Sequence, residues 1–295
     1  MYFDEDTVLF MDGAFINASE AGVNPYGQTL HYGMGVFEGL RAYQTVHGTK
    51  IFKATEHFNR LAESCSLLGM PFDYSTEELT QISYQLLEKN ELTCAYIRPL
   101  VIGSPRMTLE AASTTTVIIA AWKWGKYFGD KSLRVCISSV ERISPRACRV
   151  EAKVSGHYVN AMMAAAEAKK RGYDESIMLD GNGFVAQAPG ANLFFEKDGT
   201  LYTSPEGSIF LGITRKTVLD ICRQLDITVI EKNFRADQLL EADAAFLCGT
   251  ATEITPIISV EGHPMNLPWK RSLSFSIQEA FKSLVLDKSY SYVIV

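Results

Sequence analysis

The 295-residue chain carries 28 Lys and Arg against 34 Asp and Glu, a net charge of −6, with 47% hydrophobic and 21% charged residues. This composition predicts a soluble globular protein of one large or two modest domains. The acidic balance argues against a general nucleic-acid surface and against attraction to anionic membranes.

The N-terminal MYFDEDTVLF lacks the basic region and long apolar run of a signal peptide, and the longest apolar run, 117–122, is too short to span a bilayer. Six scattered cysteines without a CxxC pair predict reduced core residues of a cytoplasmic protein. Five histidines without ligand-like spacing predict no metal site.

In chain order, residues 8–15 predict a hairpin turning at Met11-Asp12-Gly13, and the Gly- and Tyr-rich 24–35 predicts a loop entering a strand at 36–44. After a turn at His47-Gly48, a helix from Thr55 places Phe58, Leu61, Ala62, Cys65 and Leu68 on one face and stops at Gly69 and Pro71. Ser75 and Glu78 form a capping box for a second helix burying Leu79, Ile82, Leu86 and Leu87. Strands at 94–103 and 114–124 follow, and Tyr96 and Arg98, two apart, share a face.

WGKYFGDK (124–131) breaks the apolar pattern. Residues 125–131 therefore predict a linker between a smaller N-terminal domain, 1–124, and a larger C-terminal domain, 132–295. Beyond it strands are expected at 133–139, 150–153, 176–180, 184–188, 193–197, 200–203, 228–234 and 244–248. Helices are expected from Gly156, at 214–225 and at 272–286. In the first of these, Val159, Met162, Met163 and Ala166 recur at helical spacing and Gly172 sits at the cap position. Strands and helices alternate loosely with several hairpins, so α+β is the expected class.

Two chemical features are readable from the residues. Lys153 at a strand end before a helix is a place for a Schiff-base amine, although spacing alone favours a solvated lysine. Gly212-Ile213-Thr214-Arg215 opens a helix, where free backbone N–H groups and a hydroxyl suit a phosphate; Thr214 also serves as a plain N-cap.

Read together, LHYGMGVFEGLRAY (30–43), AYIRPL (95–100), EAKVSGHYVN (151–160), GANLF (190–194), LGITR (211–215) and GTATEITP (249–256) resemble the class IV, fold-type-IV aminotransferases, which use pyridoxal 5′-phosphate. Branched-chain amino acid aminotransferases are the nearest match. The resemblance implies two mixed α/β domains with the cofactor at their interface, and transamination between Leu, Ile or Val and 2-oxoglutarate by a ping-pong route. D-amino acid aminotransferases and aminodeoxychorismate lyases are the alternatives within the fold; YIRPL and GTATEITP favour the branched-chain group over both.

The same resemblance implies residue roles. Lys153 matches the Schiff-base lysine. Arg60, Ile213 N–H, Thr214 and Thr250 match the phosphate contacts, and Tyr158 matches the tyrosine at the cofactor's phenolic oxygen. Tyr96 with the N–H groups of Thr250 and Ala251 would take the substrate α-carboxylate. Phe37, Tyr158 and Trp124 would line an apolar pocket, and Arg98 with Tyr32 would take the distal carboxylate of glutamate. Tyr32 would come from a second subunit, making a homodimer the minimum unit. Two positions depart from the family. Gln187 stands where a Glu pairs with the protonated ring nitrogen, and Leu211 where Pro usually precedes GITR. Gln187 predicts slow turnover, with a weakly active cofactor-binding homologue as the alternative of another class.

Overall fold

The computed structural model describes residues 3–288. Its elements begin with the hairpin β1 (Val8–Met11) and β2 (Ala14–Asn17), paired as Phe10 with Phe15 and Met11 with Ala14. Then come α1 (Gln28–Tyr32), β3 (Gly35–Phe37), β4 (Leu40–Thr45), β5 (Gly48–Ile51), α2 (Ala54–Leu67), α3 (Thr76–Lys89), β6 (Ala95–Gly103) and β7 (Thr115–Trp122). The second half holds β8 (Leu133–Ile137), a 3-10 turn (Ser155–His157), α4 (Tyr158–Lys170), β9 (Glu175–Leu179), β10 (Val185–Gln187), β11 (Asn192–Lys197), β12 (Thr200–Thr203) and α5 (Ile213–Gln224). It ends with β13 (Val229–Glu231), α6 (Ala236–Leu240), β14 (Ala244–Gly249), β15 (Glu253–Val260), β16 (His263–Pro264) and α7 (Leu273–Val285). The class is α+β.

The chain divides into two units. One comprises the chain up to Gly125 together with Ala152–His157; the other comprises Lys126–Glu151 and the chain from Tyr158 onward. The sequence-based boundary assigned all of 132–295 to one domain, whereas the segment carrying Lys153 groups with the first unit. Backbone hydrogen bonds explain this placement. Phe37 N–H donates to Lys153 C=O at 3.1 Å, Gly156 N–H donates to Gly33 C=O at 3.1 Å, and Val36 bridges Val154. The expected strand at 150–153 is absent: residues 150–152 form a turn and bend, and the pairing is limited to the single antiparallel bridge of Val154 with Val36.

In the first unit an antiparallel sheet runs β2-β1-β7-β6-β4-β5, with β3 also on β6. Alternation along β7 buries Val117, Ile119 and Ala121 against Phe58, Leu61 and Cys65 of α2 and Leu79 and Leu86 of α3. The capping box forms: Ser75 Oγ accepts from Glu78 N–H, and Glu78 accepts from Ser75 N–H at 2.8 Å. Two expectations change here. The loop at 24–35 contains the single-turn helix α1, and the strand at 36–44 is broken at Glu38-Gly39.

The second unit's sheet runs β10-β9-β8-β15-β14-β11-β12-β13, with β16 on β15. It mixes parallel pairs, β8 with β9 and with β15 and β12 with β13, among antiparallel ones. Its core includes Leu133, Ile177, Phe195, Leu247 and Ile257. The helix α4 turns a different face inward from the one its hydropathy predicts. Ala161, Ala164 and Ala168 are buried, while Val159, Met162 and Met163 are 60%, 69% and 57% exposed and Ala166 is also exposed. Among the described residues no helix is long and apolar enough to cross a membrane.

Candidate active site

The first unit gathers an aromatic and cationic cluster on β3, β6 and the 152–157 segment. Lys153 is half-buried, and its backbone N–H donates to Ser64 Oγ of α2 at 3.1 Å. Its Nζ lies 4.9 Å from the centroid of the Phe37 ring, and the Arg98 guanidinium lies 4.6 Å from the same ring. Two cations thus lie over the Phe37 ring, each stabilised by its electron-rich face. Arg98 also donates from Nη2 to the Tyr96 hydroxyl at 3.1 Å, as their shared strand face predicts. Tyr96 in turn packs edge-on against Trp124 at 4.9 Å. Arg41 donates to the carbonyls of Trp124 and Gly125 at 3.3 Å and fixes the end of this wall. Tyr32 lies outside the cluster, 47% exposed, with its ring beside His31.

Behind this cluster lies a buried ionic group that sequence reasoning missed. Glu38 is fully buried and accepts from Arg60 Nε at 2.6 Å, from Arg60 Nη2 at 2.9 Å and from His57 Nδ1 at 2.7 Å. Burial by itself would raise the Glu38 carboxyl, but the Arg60 charge, then His57 and the hydrogen bonds, hold it far below the usual carboxylate range. Desolvation lowers His57, opposed by the Glu38 carboxylate that lies 2.7 Å from its Nδ1. The signal was present in FEG and EHFNR: a Glu interrupting a strand, with His and Arg three apart on one helix face. Gly39 is required beside it, because a Cβ there would lie 1.9 Å from the Tyr96 hydroxyl.

In the second unit the other expected residues sit at the ends of strands and helices. Gly212 caps α5 with extended backbone, φ −69° and ψ 137°, and no side chain caps the helix. Its N–H donates to Asn192 Oδ1 at 3.2 Å, and a Cβ there would lie 2.3 Å from that oxygen. The half-buried Ile213 and buried Thr214 open the helix. Arg215, buried as well, turns away and donates to Ser204 C=O at 3.0 Å and Glu231 at 2.5 Å. Thr250 and Ala251 lie in the turn between β14 and β15, and Ala251 C=O accepts from Tyr127 N–H at 2.9 Å. Tyr158 opens α4, half-buried. Arg142, another residue sequence reasoning missed, is lowered by desolvation and is influenced by the Tyr158 hydroxyl; its Nε has no hydrogen-bond partner among the described residues. Gln187 ends β10, buried. Leu211 is 40% exposed.

These arrangements have close counterparts. The family model for amino-transferase class IV matches residues 35–260. The chain belongs to the class IV aminotransferases. Within that class it stands with the branched-chain-amino-acid aminotransferases. The one from Pseudomonas aeruginosa is 39% identical, over 98% of this chain and 96% of that protein, and the one from Escherichia coli K12 is 37% identical, over 94% and 92%. The crystal structure of the branched-chain aminotransferase from Thermoproteus uzoniensis with norvaline superposes with a TM-score of 0.92 at 36% identity, over 96% of each chain. That of the branched-chain amino acid aminotransferase from Thermobaculum terrenum in its PLP-bound holo-form does so with a TM-score of 0.89 at 30% identity, over 97% and 96%.

The aminotransferase's cofactor is pyridoxal 5′-phosphate, and the residues present suit it. An uncapped helix N-terminus that a Cβ at Gly212 would crowd, with a hydroxyl in its first turn, matches an anion. In the first unit, taken by itself, a guanidinium with its Nε and one terminal nitrogen anchored on a buried carboxylate also suits an anion.

Proposed function

We propose that this aminotransferase moves amino groups between leucine, isoleucine or valine and 2-oxoglutarate in a ping-pong cycle. The observation that carries the reading is the Phe37 ring with Arg98 and Lys153 both over it, beside Tyr96 and Trp124. This wall is apolar enough for an aliphatic side chain and has a cation at its edge for the second carboxylate of glutamate.

Pyridoxal phosphate supplies an aldehyde for a Schiff base and a ring that takes up the electron pair left by the departing α-proton. Lys153 is assigned the amine that binds the aldehyde and, once substrate has displaced it, the base that carries the proton between Cα and the cofactor's C4′. Arg60, Ile213 N–H, Thr214 and Thr250 are assigned the phosphate. Tyr158 is assigned the phenolic oxygen, and Gln187 the ring nitrogen. Tyr96 and the N–H groups of Thr250 and Ala251 orient the α-carboxylate. Phe37, Tyr158 and Trp124 exclude water from the side chain. Arg98 and Tyr32 take the distal carboxylate, with Tyr32 supplied by a second copy.

A homodimer is the proposed minimum unit. Its support is the exposure of Leu30 and Tyr32 on α1 and of Val159, Met162 and Met163 on α4, apolar positions of a kind a second copy would cover. The proposed place is the cytoplasm, in keeping with six free cysteines.

The test is the visible spectrum of the purified protein. Adding L-leucine should abolish the bound-aldehyde band, and 2-oxoglutarate should restore it. D-alanine and aminodeoxychorismate are run beside them; turnover of either in preference to L-leucine would move the enzyme to another branch of the class.

A further inference from the structure

The carboxamide of Gln187 has its orientation fixed. Phe210 N–H donates to Oε1 at 2.7 Å, which demands an oxygen there, and Nε2 donates to Ala188 C=O at 3.1 Å, which demands a nitrogen. Reversing the amide would set two donors against each other at Phe210 and two acceptors against each other at Ala188. The group is 5% exposed, so water does not relieve that conflict.

The partner of Oε1 is also held firmly. Asn192 donates to Phe210 C=O at 2.9 Å and accepts from Gly212 N–H at 3.2 Å. Gln187 and Asn192 thus grip both backbone polar groups of Phe210 and the N–H that precedes α5. The stretch entering the helix is pinned from one side by these two amides.

We infer that Gln187 presents an N–H donor to the cofactor's ring nitrogen, so that this enzyme holds the pyridine unprotonated. The inference rests on the assignment of Gln187 to the ring nitrogen. The oxygen already accepts a short bond from the loop, and Nε2 retains one N–H beyond the one given to Ala188. A pyridine nitrogen with its lone pair accepts that N–H, whereas a pyridinium N–H would meet a donor. Neither hydrogen-bond partner of the amide is a carboxylate that could hold a proton on the ring. A glutamate at 187 would still accept from Phe210 N–H, but its second oxygen would face the Ala188 carbonyl. That repulsion is relieved by turning the oxygen to a protonated ring nitrogen.

The experiment loads the apo-protein with pyridoxal phosphate labelled with ¹⁵N in the ring and records the nitrogen chemical shift in wild type and in Gln187→Glu. The wild type should give the downfield signal of a neutral pyridine, unchanged on acidification to pH 6. Gln187→Glu should move it upfield to the pyridinium position. A pyridinium signal in the wild type, with Gln187→Glu altering it, would overturn the inference while leaving Gln187 at the ring. Identical signals in the two proteins would overturn the assignment of Gln187 to the ring nitrogen, and the inference with it. The wild-type spectrum decides the protonation state even where the variant folds poorly.

Discussion

Glu38 and Arg60 form a two-point contact, both carboxylate oxygens accepting from the guanidinium at 2.6 and 2.9 Å with the carboxylate fully buried. The pair spans a break in a strand and a turn of helix, so its geometry is set by two elements of one unit. A buried pair of this kind contributes little net stability as a unit but is costly to halve.

Glu38→Gln should therefore lower stability by about 3–5 kcal/mol, because it halves a buried, charge-assisted two-point contact. With Arg60 released from its fixed orientation, affinity for pyridoxal phosphate should fall roughly ten- to hundredfold, matching one charge-assisted contact of about 1.5–3 kcal/mol. Affinity for pyridoxal, which lacks the phosphate, should stay as it is. Spectroscopic titration of the apo-protein with each compound separates the two; equal losses would show that the pair supports the fold alone.

Lys153 should carry the cofactor. Borohydride reduction of the loaded protein followed by peptide mapping should place the pyridoxyl group on that residue, and a label on another lysine would refute the assignment. The backbone at Lys153 is held through both its N–H and its C=O. Lys153→Ala should accordingly fold normally and lose the bound-aldehyde band.

The sequence made the hairpins, the capping box, the Tyr96–Arg98 pair and the helix α5 legible, because each is written in local spacing or turn chemistry. The buried face of α4 was not legible. Hydropathy ranks Val159, Met162 and Met163 above alanine, yet Ala161, Ala164 and Ala168 are the residues buried, small side chains allowing close approach of the helix. The strand β15 escaped because Pro256 sits within it, opposite Phe246. The Glu38–His57–Arg60 group escaped because a charged residue inside an apolar run shows its purpose only when its partners, 19 and 22 residues on, fold back to it.

Arg98→Ala should separate the two substrates. Arg98 donates to the Tyr96 hydroxyl and stacks on Phe37, so it is placed by groups that themselves line the aliphatic wall. Its loss should weaken glutamate and 2-oxoglutarate roughly ten- to hundredfold and leucine much less, from one charge-assisted contact of about 1.5–3 kcal/mol. Steady-state kcat/KM for both substrates measures the difference. Equal losses would show that Arg98 supports Tyr96 and Phe37 or serves the α-carboxylate.

Glu175 gives the enzyme a pH-dependent liability remote from these groups in sequence. It begins β9, is buried, and accepts from Ser176 N–H at 2.9 Å. Desolvation, opposed only weakly by that hydrogen bond, raises the carboxyl from 4.5 to about 7. The folded state therefore retains a proton that the unfolded chain releases. This carboxyl's contribution to stability is fully present below pH 4.5 and is lost as pH rises towards 7. The loss amounts to about 3 kcal/mol above that range, at about 1.4 kcal/mol for each pH unit between the two values. Glu175→Gln keeps the acceptor for Ser176 and the side chain's size but removes the charge. At pH 8 its melting temperature should lie several degrees above that of the wild type, and near pH 4.5 the two should coincide. A variant less stable than wild type at pH 8 would mean that the carboxylate has a partner that favours its charged form.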